Sequence, residues 1–212
     1  RGLLQATQDP TPADRTLAML RLLRGNPKAV AVAWDLAALL DSLGLHDDAL
    51  TFFEHAWDTA TAARGNEALS AAFVTEYCNT MLNAQRYADA VERFGPLLEQ
   101  FPDNMDLRAL LVEAYRALGR QDRAEPIVQS MIDRYETRDA TDGDSPMLLA
   151  ERAWFNLITR QHPQTALAYA KQAAEKEPDD AFVRRVLAAC RVRAGQYDSA
   201  RSVLKDLRDR DV

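Results

Sequence analysis

Gln85-Arg-Tyr-Ala-Asp-Ala-Val-Glu-Arg-Phe-Gly-Pro-Leu-Leu-Glu-Gln-Phe-Pro102 is the stretch on which the fold turns. Within it Tyr87, Ala90, Phe94 and Leu97 step by three, four and three, so they share one helical face, and Pro102 stands where that helix must stop. The following segment, Met105 to Leu118, is again apolar along one face and ends at Gly119, a residue suited to the left-handed turn after a helix. Two helices joined by a short turn make a hairpin. Its residue types recur at similar offsets on both sides, and the equivalent turn positions Gly44, Gln85, Gly119, Gln161 and Gly195 stand 41, 34, 42 and 34 residues apart. A spacing of 34 that returns points to a helix-turn-helix solenoid rather than a closed bundle. The two longer spacings predict insertions, one lengthening a helix around Asp58 to Arg64, the other a loop over Thr137 to Ser145.

Outward from that stretch the remaining hairpins follow in order. Thr11-Pro-Ala-Asp14 has a hydroxyl cap, a proline at the first helical position and an acid beyond it, which is a helix start. Leu17, Leu20 and Leu23 carry this helix to Arg24-Gly-Asn-Pro27, so residues 1–27 are expected to form a partial repeat capping the N-terminal end. Five hairpins are expected after it, at about 28–66, 67–103, 104–136, 146–179 and 180–212, in one continuous solenoid. Their apolar faces are Trp34, Leu36, Leu39 and Leu40 with Ala49, Phe53 and Ala56; Phe73, Tyr77 and Met81 over a helix from Glu67 to Asn83; Ala124, Val128 and Met131 over Gln121 to Tyr135; Ala166, Ala170 and Ala173; and Ala200, Leu204 and Leu207. Pro96 and Pro126 fall inside second helices, where a proline costs about 3 kcal/mol and predicts a kink.

Composition bounds the function. The 212 residues are 47% hydrophobic and carry a formal net charge of −6 that is spread along the chain, which argues against a nucleic-acid footprint or a membrane-surface helix. No run of eighteen apolar residues occurs, so no direct membrane insertion is expected. Cys78 and Cys190 form neither a CxxC pair nor a disulfide framework and read as core filler. His46, His55 and His162 belong to no group with metal-ligand spacing, and no phosphate loop, HExxH, GxSxG or dinucleotide fingerprint is present, so neither metal, cofactor nor catalytic residue is expected. Asp139 to Asp144 resembles a calcium loop only loosely: the positions that should be acidic before Gly143 are Arg138, Ala140 and Asp142. Ser145 is expected instead to cap a helix that Pro146 begins. The chain starts at Arg1 rather than Met and both ends read as cuts, which leaves compartment, cytoplasmic or exported, and oligomeric state open.

Gly195-Gln-Tyr197-Asp-Ser-Ala200, the Tyr87, Ala90, Phe94, Pro102 series and Gly44 with Ala49, Phe53 and Ala56 together resemble the tetratricopeptide-repeat family, over nearly the whole chain. The resemblance implies an all-α fold: a right-handed superhelical solenoid of antiparallel helix pairs, first helices lining a concave wall and second helices outside. The family's small residue in the middle of each first helix becomes Ala37, Cys78, Val112, Trp154 and Ala188 here. Trp154 fits badly, so either the register slips by one and Ala153 takes that contact, or the hairpin is splayed.

The resemblance further implies a non-catalytic scaffold that binds a peptide or helix of a protein partner in its groove, as part of a larger protein or assembly. The alternative is a regulatory or substrate-recruiting domain of an enzyme whose catalytic part lies elsewhere. Helical phase places Trp34, Asp41, Thr75, Asn79, Asn83, Asp106, Glu113, Arg116, Glu151, Phe155, Arg185 and Arg193 on the groove side. Trp34 and Phe155 are the preferred anchors, although each is also readable as core. In the subclass that grips chaperone tails, five Lys, Asn and Arg residues form a carboxylate clamp. The corresponding places here are Trp34, Ala38, Glu76, Asp106 and Leu110, which disfavours that partner.

Overall fold

The computed structural model describes residues 10–142, 145–159 and 163–208. Every regular element among them is a helix: α1 (Pro12–Gly25), α2 (Val30–Ser42), α3 (His46–Arg64), α4 (Ala71–Asn83), α5 (Tyr87–Phe94), α6 (Met105–Ala117), α7 (Gln121–Asp142), α8 (Pro146–Thr159), α9 (Pro163–Lys176), α10 (Ala181–Arg193) and α11 (Tyr197–Arg208). The chain divides into two compact units, Arg1–Ala114 and Tyr115–Val212. In the first, α2 packs on α3, α3 on α4 and α4 on α5, with α1 against α2. In the second, α8 packs on α9, α10 on α11, and α10 also meets α8 and α9.

Side-chain caps fix where several helices begin. At α1 the Thr11 hydroxyl accepts from the Asp14 N–H at 3.2 Å while the Asp14 carboxylate accepts from the Thr11 N–H at 3.1 Å, a reciprocal box that satisfies two otherwise orphaned donors. Ser70 caps α4 through the Phe73 N–H, Asn104 caps α6 through Leu107, Ser145 caps α8 through Leu148, and Asp180 caps α10 through Val183. The start at Ser145-Pro146 is the one expected from sequence. The start of α4 is not. Instead of a helix from Glu67, a 3₁₀ turn over Gly65–Ala68 precedes the Ser70 cap, because a serine hydroxyl in extended backbone supplies the acceptor that the first turn needs.

Four of the five expected turn positions share one backbone conformation, and the other, Gln161, lies outside the described residues. Gly44, Gly119 and Gly195 have φ of +77°, +71° and +74°, and Gln85 has the same left-handed backbone at +59°, the only described non-glycine that does. A glutamine there carries strain that glycine does not, on the order of 1 kcal/mol after allowing for glycine's greater chain entropy. Gln85→Gly is therefore expected to stabilise the protein by about 1 kcal/mol. Urea unfolding should show a higher midpoint with an unchanged slope. A lower midpoint would mean that the glutamine side chain makes a contact worth more than the strain.

Five residues after positions 44, 85, 119, 161 and 195 of the sequence stands an alanine: Ala49, Ala90, Ala124, Ala166 and Ala200, all buried at 0–2% exposure. These let the second helix approach its partner closely, and larger residues fill the space one or two turns later, Phe53, Phe94, Val128 and Met131 among them. The first unit is filled by aromatics. Phe53 stacks on Tyr77 with centroids 5.1 Å apart, and Phe73, Trp57 and Phe94 meet these rings edge-on or tilted. Arg93 closes the cluster: its guanidinium lies 5.4 Å from the Trp57 ring and 5.3 Å from that of Tyr77, and it donates to the Tyr77 hydroxyl at 2.7 Å and to Glu54 at 3.0 Å. Burial pushes the Tyr77 phenol up to about 12. The second unit is filled differently, by Ala153, Ala166, Leu167, Ala170, Val186, Leu187 and Ala188.

Some expectations are corrected. Ala153 is fully buried and Trp154 only partly, so the register does slip by one and alanine takes the tight contact. The stretch from Thr137 does not leave the helix: α7 continues through Asp142. Pro126 stands inside α7 without ending it, whereas Pro96 falls in a 3₁₀ turn, Gly95–Leu98, that replaces the end of its helix. On α11 Leu204 is 47% exposed and Val203 takes the buried place; the side chain of Leu207 lies outside the described residues. The extension of α3 over Asp58 to Arg64 is present as expected. Helix α1 buries none of its residues, leaving Leu17 and Leu20 at 48% and 40% exposure.

Candidate functional site

In the first unit the side chains expected on the groove side lie on α2, α4 and α6. Three contacts align these helices side by side. The Trp34 indole N–H donates to Glu76 at 2.5 Å, and the ring meets Phe73 edge-on at 5.5 Å. Asn83 donates to Asp41 at 3.4 Å, and Asp41 also pairs with His46 Nδ1 at 2.7 Å. Asn104, while capping α6, donates through its amide nitrogen to Thr75 Oγ1 at 2.8 Å and to the Ala71 carbonyl at 3.2 Å. Three of these hydrogen bonds thus tie side chains across successive first helices, and four of the twelve residues expected from sequence on the groove side, Trp34, Asp41, Thr75 and Asn83, take part in them.

Around these staples Asn79, Asp106 and Glu113 are exposed, as is the free edge of Asn83. Trp34 is half-buried, so the expected anchor is in large part a junction residue between α2 and α4. In the second unit Phe155 is 6% exposed; expected as an accessible anchor, it is instead core, because Trp154 takes the partly exposed position. Arg116 reaches the end of α8, donating to the Thr159 carbonyl at 2.9 Å and the Ile158 carbonyl at 3.5 Å, where a cation also suits the helix dipole. Glu151 is half-buried, and Arg185 and Arg193 are exposed on α10.

Glu76, Asn104 and His46 belong to this arrangement and were missed by phase reasoning. A signal existed for Glu76: it lies 42 residues after Trp34, as Asn83 lies 42 after Asp41. The turn-to-turn spacing there is 41, so the cross-helix neighbour is the equivalent position plus one.

Among the described residues no group of three His, Cys, Asp or Glu side chains is placed to hold a metal ion. His55 is engaged with the Pro27 carbonyl at 2.7 Å, and His162 lies outside the described residues. Cys78 and Cys190 are buried; burial pushes the Cys78 thiol up and that of Cys190 up to about 11, which leaves both as unreactive thiols at neutral pH. A cleft of about 390 Å³ between α1 and α3 is lined mainly by Leu20, Leu23, Pro27 and Phe52. No helix of the described residues is long and apolar enough to cross a membrane.

Paired helices with left-handed turns and an alanine five residues on are the repeat that the sequence resembles, and comparison with known families agrees. A tetratricopeptide-repeat family model matches residues 81–140 and 157–212. The chain belongs to the tetratricopeptide-repeat family. Solved structures share the fold. TTC0263, a thermophilic tetratricopeptide-repeat protein of Thermus thermophilus, is 23% identical, with 84% of this chain and 89% of that one covered and a TM-score of 0.53. BtubC from P. vanneervenii is 15% identical, with 93% and 87% covered and a TM-score of 0.50. At such identities the likeness concerns the fold alone. No curated protein matches the sequence.

Proposed function

We propose that this tetratricopeptide-repeat chain is a non-catalytic interaction scaffold whose first-helix faces bind a peptide or helix of a protein partner. The observation that carries this reading is the alignment of α2, α4 and α6 by Trp34–Glu76, Asp41–Asn83 and Asn104–Thr75, which fixes the surface before any partner arrives. Pre-fixing a surface lowers the ordering cost of binding. The side chains left accessible, Asn79, Asn83, Asp106 and Glu113, orient a ligand through hydrogen bonds and charge, while small neighbours such as Ala38 and Ala72 leave room for it.

The test compares affinity capture from source-cell lysate by the wild type, by Asn79→Arg with Glu113→Arg, and by Glu92→Arg on the exposed side of second helix α5. Proteins held by the wild type and the α5 control should be lost from the first-helix variant while circular dichroism is unchanged. Equal capture by all three would remove the first-helix face from the argument.

A further inference from the structure

The net charge, read from the sequence as spread along the chain, is in fact divided unequally between the two units. Arg1–Ala114 contains 9 Lys and Arg against 16 Asp and Glu, a net −7, whereas Tyr115–Val212 contains 17 against 16, a net +1. The first-helix faces carry the contrast to its extreme. Helices α2 and α4 have Asp35, Asp41 and Glu76 and not one Lys or Arg. The part of α6 in the same unit adds Asp106 and Glu113, and its one cation, Arg108, is 9% exposed with Nε on the Pro102 carbonyl. Asp35, Glu76, Asp106 and Glu113 are all exposed. Helix α10 is the reverse: Arg184, Arg185, Arg191 and Arg193 with no acid, of which Arg185 and Arg193 are exposed on one stripe with Ala181 and Ala189.

We propose that the acidic α2–α4–α6 face of one copy docks the Arg185/Arg193 stripe of α10 from a second copy. This rests on the reading that the first-helix face is the binding surface, and names its occupant. The stripe suits the face in spacing as well as sign. Arg185 and Arg193 are two turns apart, about 12 Å at 1.5 Å per residue, and Asp106 and Glu113 are about 10 Å apart along α6. Asp35 and Glu76 sit on adjacent helices, whose axes lie about 8–10 Å apart. Ala189, half-buried between the arginines, lets α10 come close. Because the two surfaces differ, the contact is head-to-tail, and a pair retains one unused surface of each kind, so association continues beyond two unless a ring closes.

Sedimentation velocity of the whole chain, across a concentration series at low salt, tests this. The weight-average mass should rise with concentration past that of a dimer, and fall to the monomer at about 1 M salt, where the Debye length is about 3 Å. Glu76→Arg with Glu113→Arg should weaken association more than about tenfold, and so should Arg185→Glu with Arg193→Glu, since each sets like charges against each other. Mixing the two variants should restore it, because each then offers what the other lacks. Circular dichroism checks that the variants keep the helical content of the wild type. A wild type that stays monomeric throughout overturns the proposal, as does association that neither reversal weakens, or two variants that stay apart when mixed. If the chain is monomeric yet the lysate partner still depends on Asn79 and Glu113, self-docking fails and the scaffold reading stands.

Discussion

Ala90→Glu is expected to unfold the first unit, with a loss of more than about 4 kcal/mol, the range reached only by a severe core lesion. Ala90 is completely buried on α5, between Tyr87 and Phe94 on a helix of eight residues that has no side-chain cap. A glutamate there adds a methylene and a carboxylate to a close-packed junction, so overpacking and an uncompensated charge act together. So short a helix has little intrinsic stability and exists because its apolar face is covered. The variant should lose much of its helical circular dichroism at room temperature. Ala88→Glu, at an exposed position of the same helix, should stay within about 0.5 kcal/mol of the wild type. Equal melting of the two variants would show that Ala90 does not occupy the junction.

The same alanine explains why so much of the fold was legible in the sequence. A repeat must place a small residue wherever two helix axes approach, and this requirement recurs at a fixed distance from each turn, so Ala49, Ala90, Ala124, Ala166 and Ala200 announce the architecture together although none does alone. Gln85 shows the limit: its residue type says nothing of a left-handed turn, and only its position in the series does. Trp154 was legible in part: a bulky residue in a small residue's place leaves either a one-residue slip or a splayed hairpin, and the burial of Ala153 shows the slip.

What was not legible depended on balances too fine for pattern. The Asp and Thr residues after Tyr135 favour turns, yet each costs a helix only some 0.7 kcal/mol, and nothing before Gly143 is a strong breaker, so α7 runs on to Asp142. For the candidate site, helical phase identified which side of α2 and α4 faces outward but not which side chains would be taken up by neighbours. Trp34 has its N–H on Glu76, Arg116 caps α8, and Phe155 is covered, three outcomes decided by partners that helical phase within a single helix does not reveal.

Phe53→Ala is expected to cost about 3–5 kcal/mol, the usual range for deleting a buried aromatic ring. Its ring is fully buried, stacked at 6° on Tyr77 and tilted 61° against Phe73, so it loses both transfer energy and ring contacts worth about 0.5–1.5 kcal/mol each. The cavity closes poorly because its walls are fixed from outside: Tyr77 is held by Arg93, and Arg93 by Glu54 and the Trp57 face. Phe53→Leu keeps most of the volume and should cost less than about 1.5 kcal/mol, which separates the ring's shape from its bulk. Urea unfolding followed by circular dichroism gives both values. Pairing each substitution with Arg93→Ala then asks whether the walls matter: with Arg93 gone the cavity can collapse, so the double variant should be less destabilised than the two single losses summed. Strict additivity would mean that Arg93 does not brace the cluster, and a Phe53→Ala cost below about 1 kcal/mol would mean that the ring is not part of the core at all.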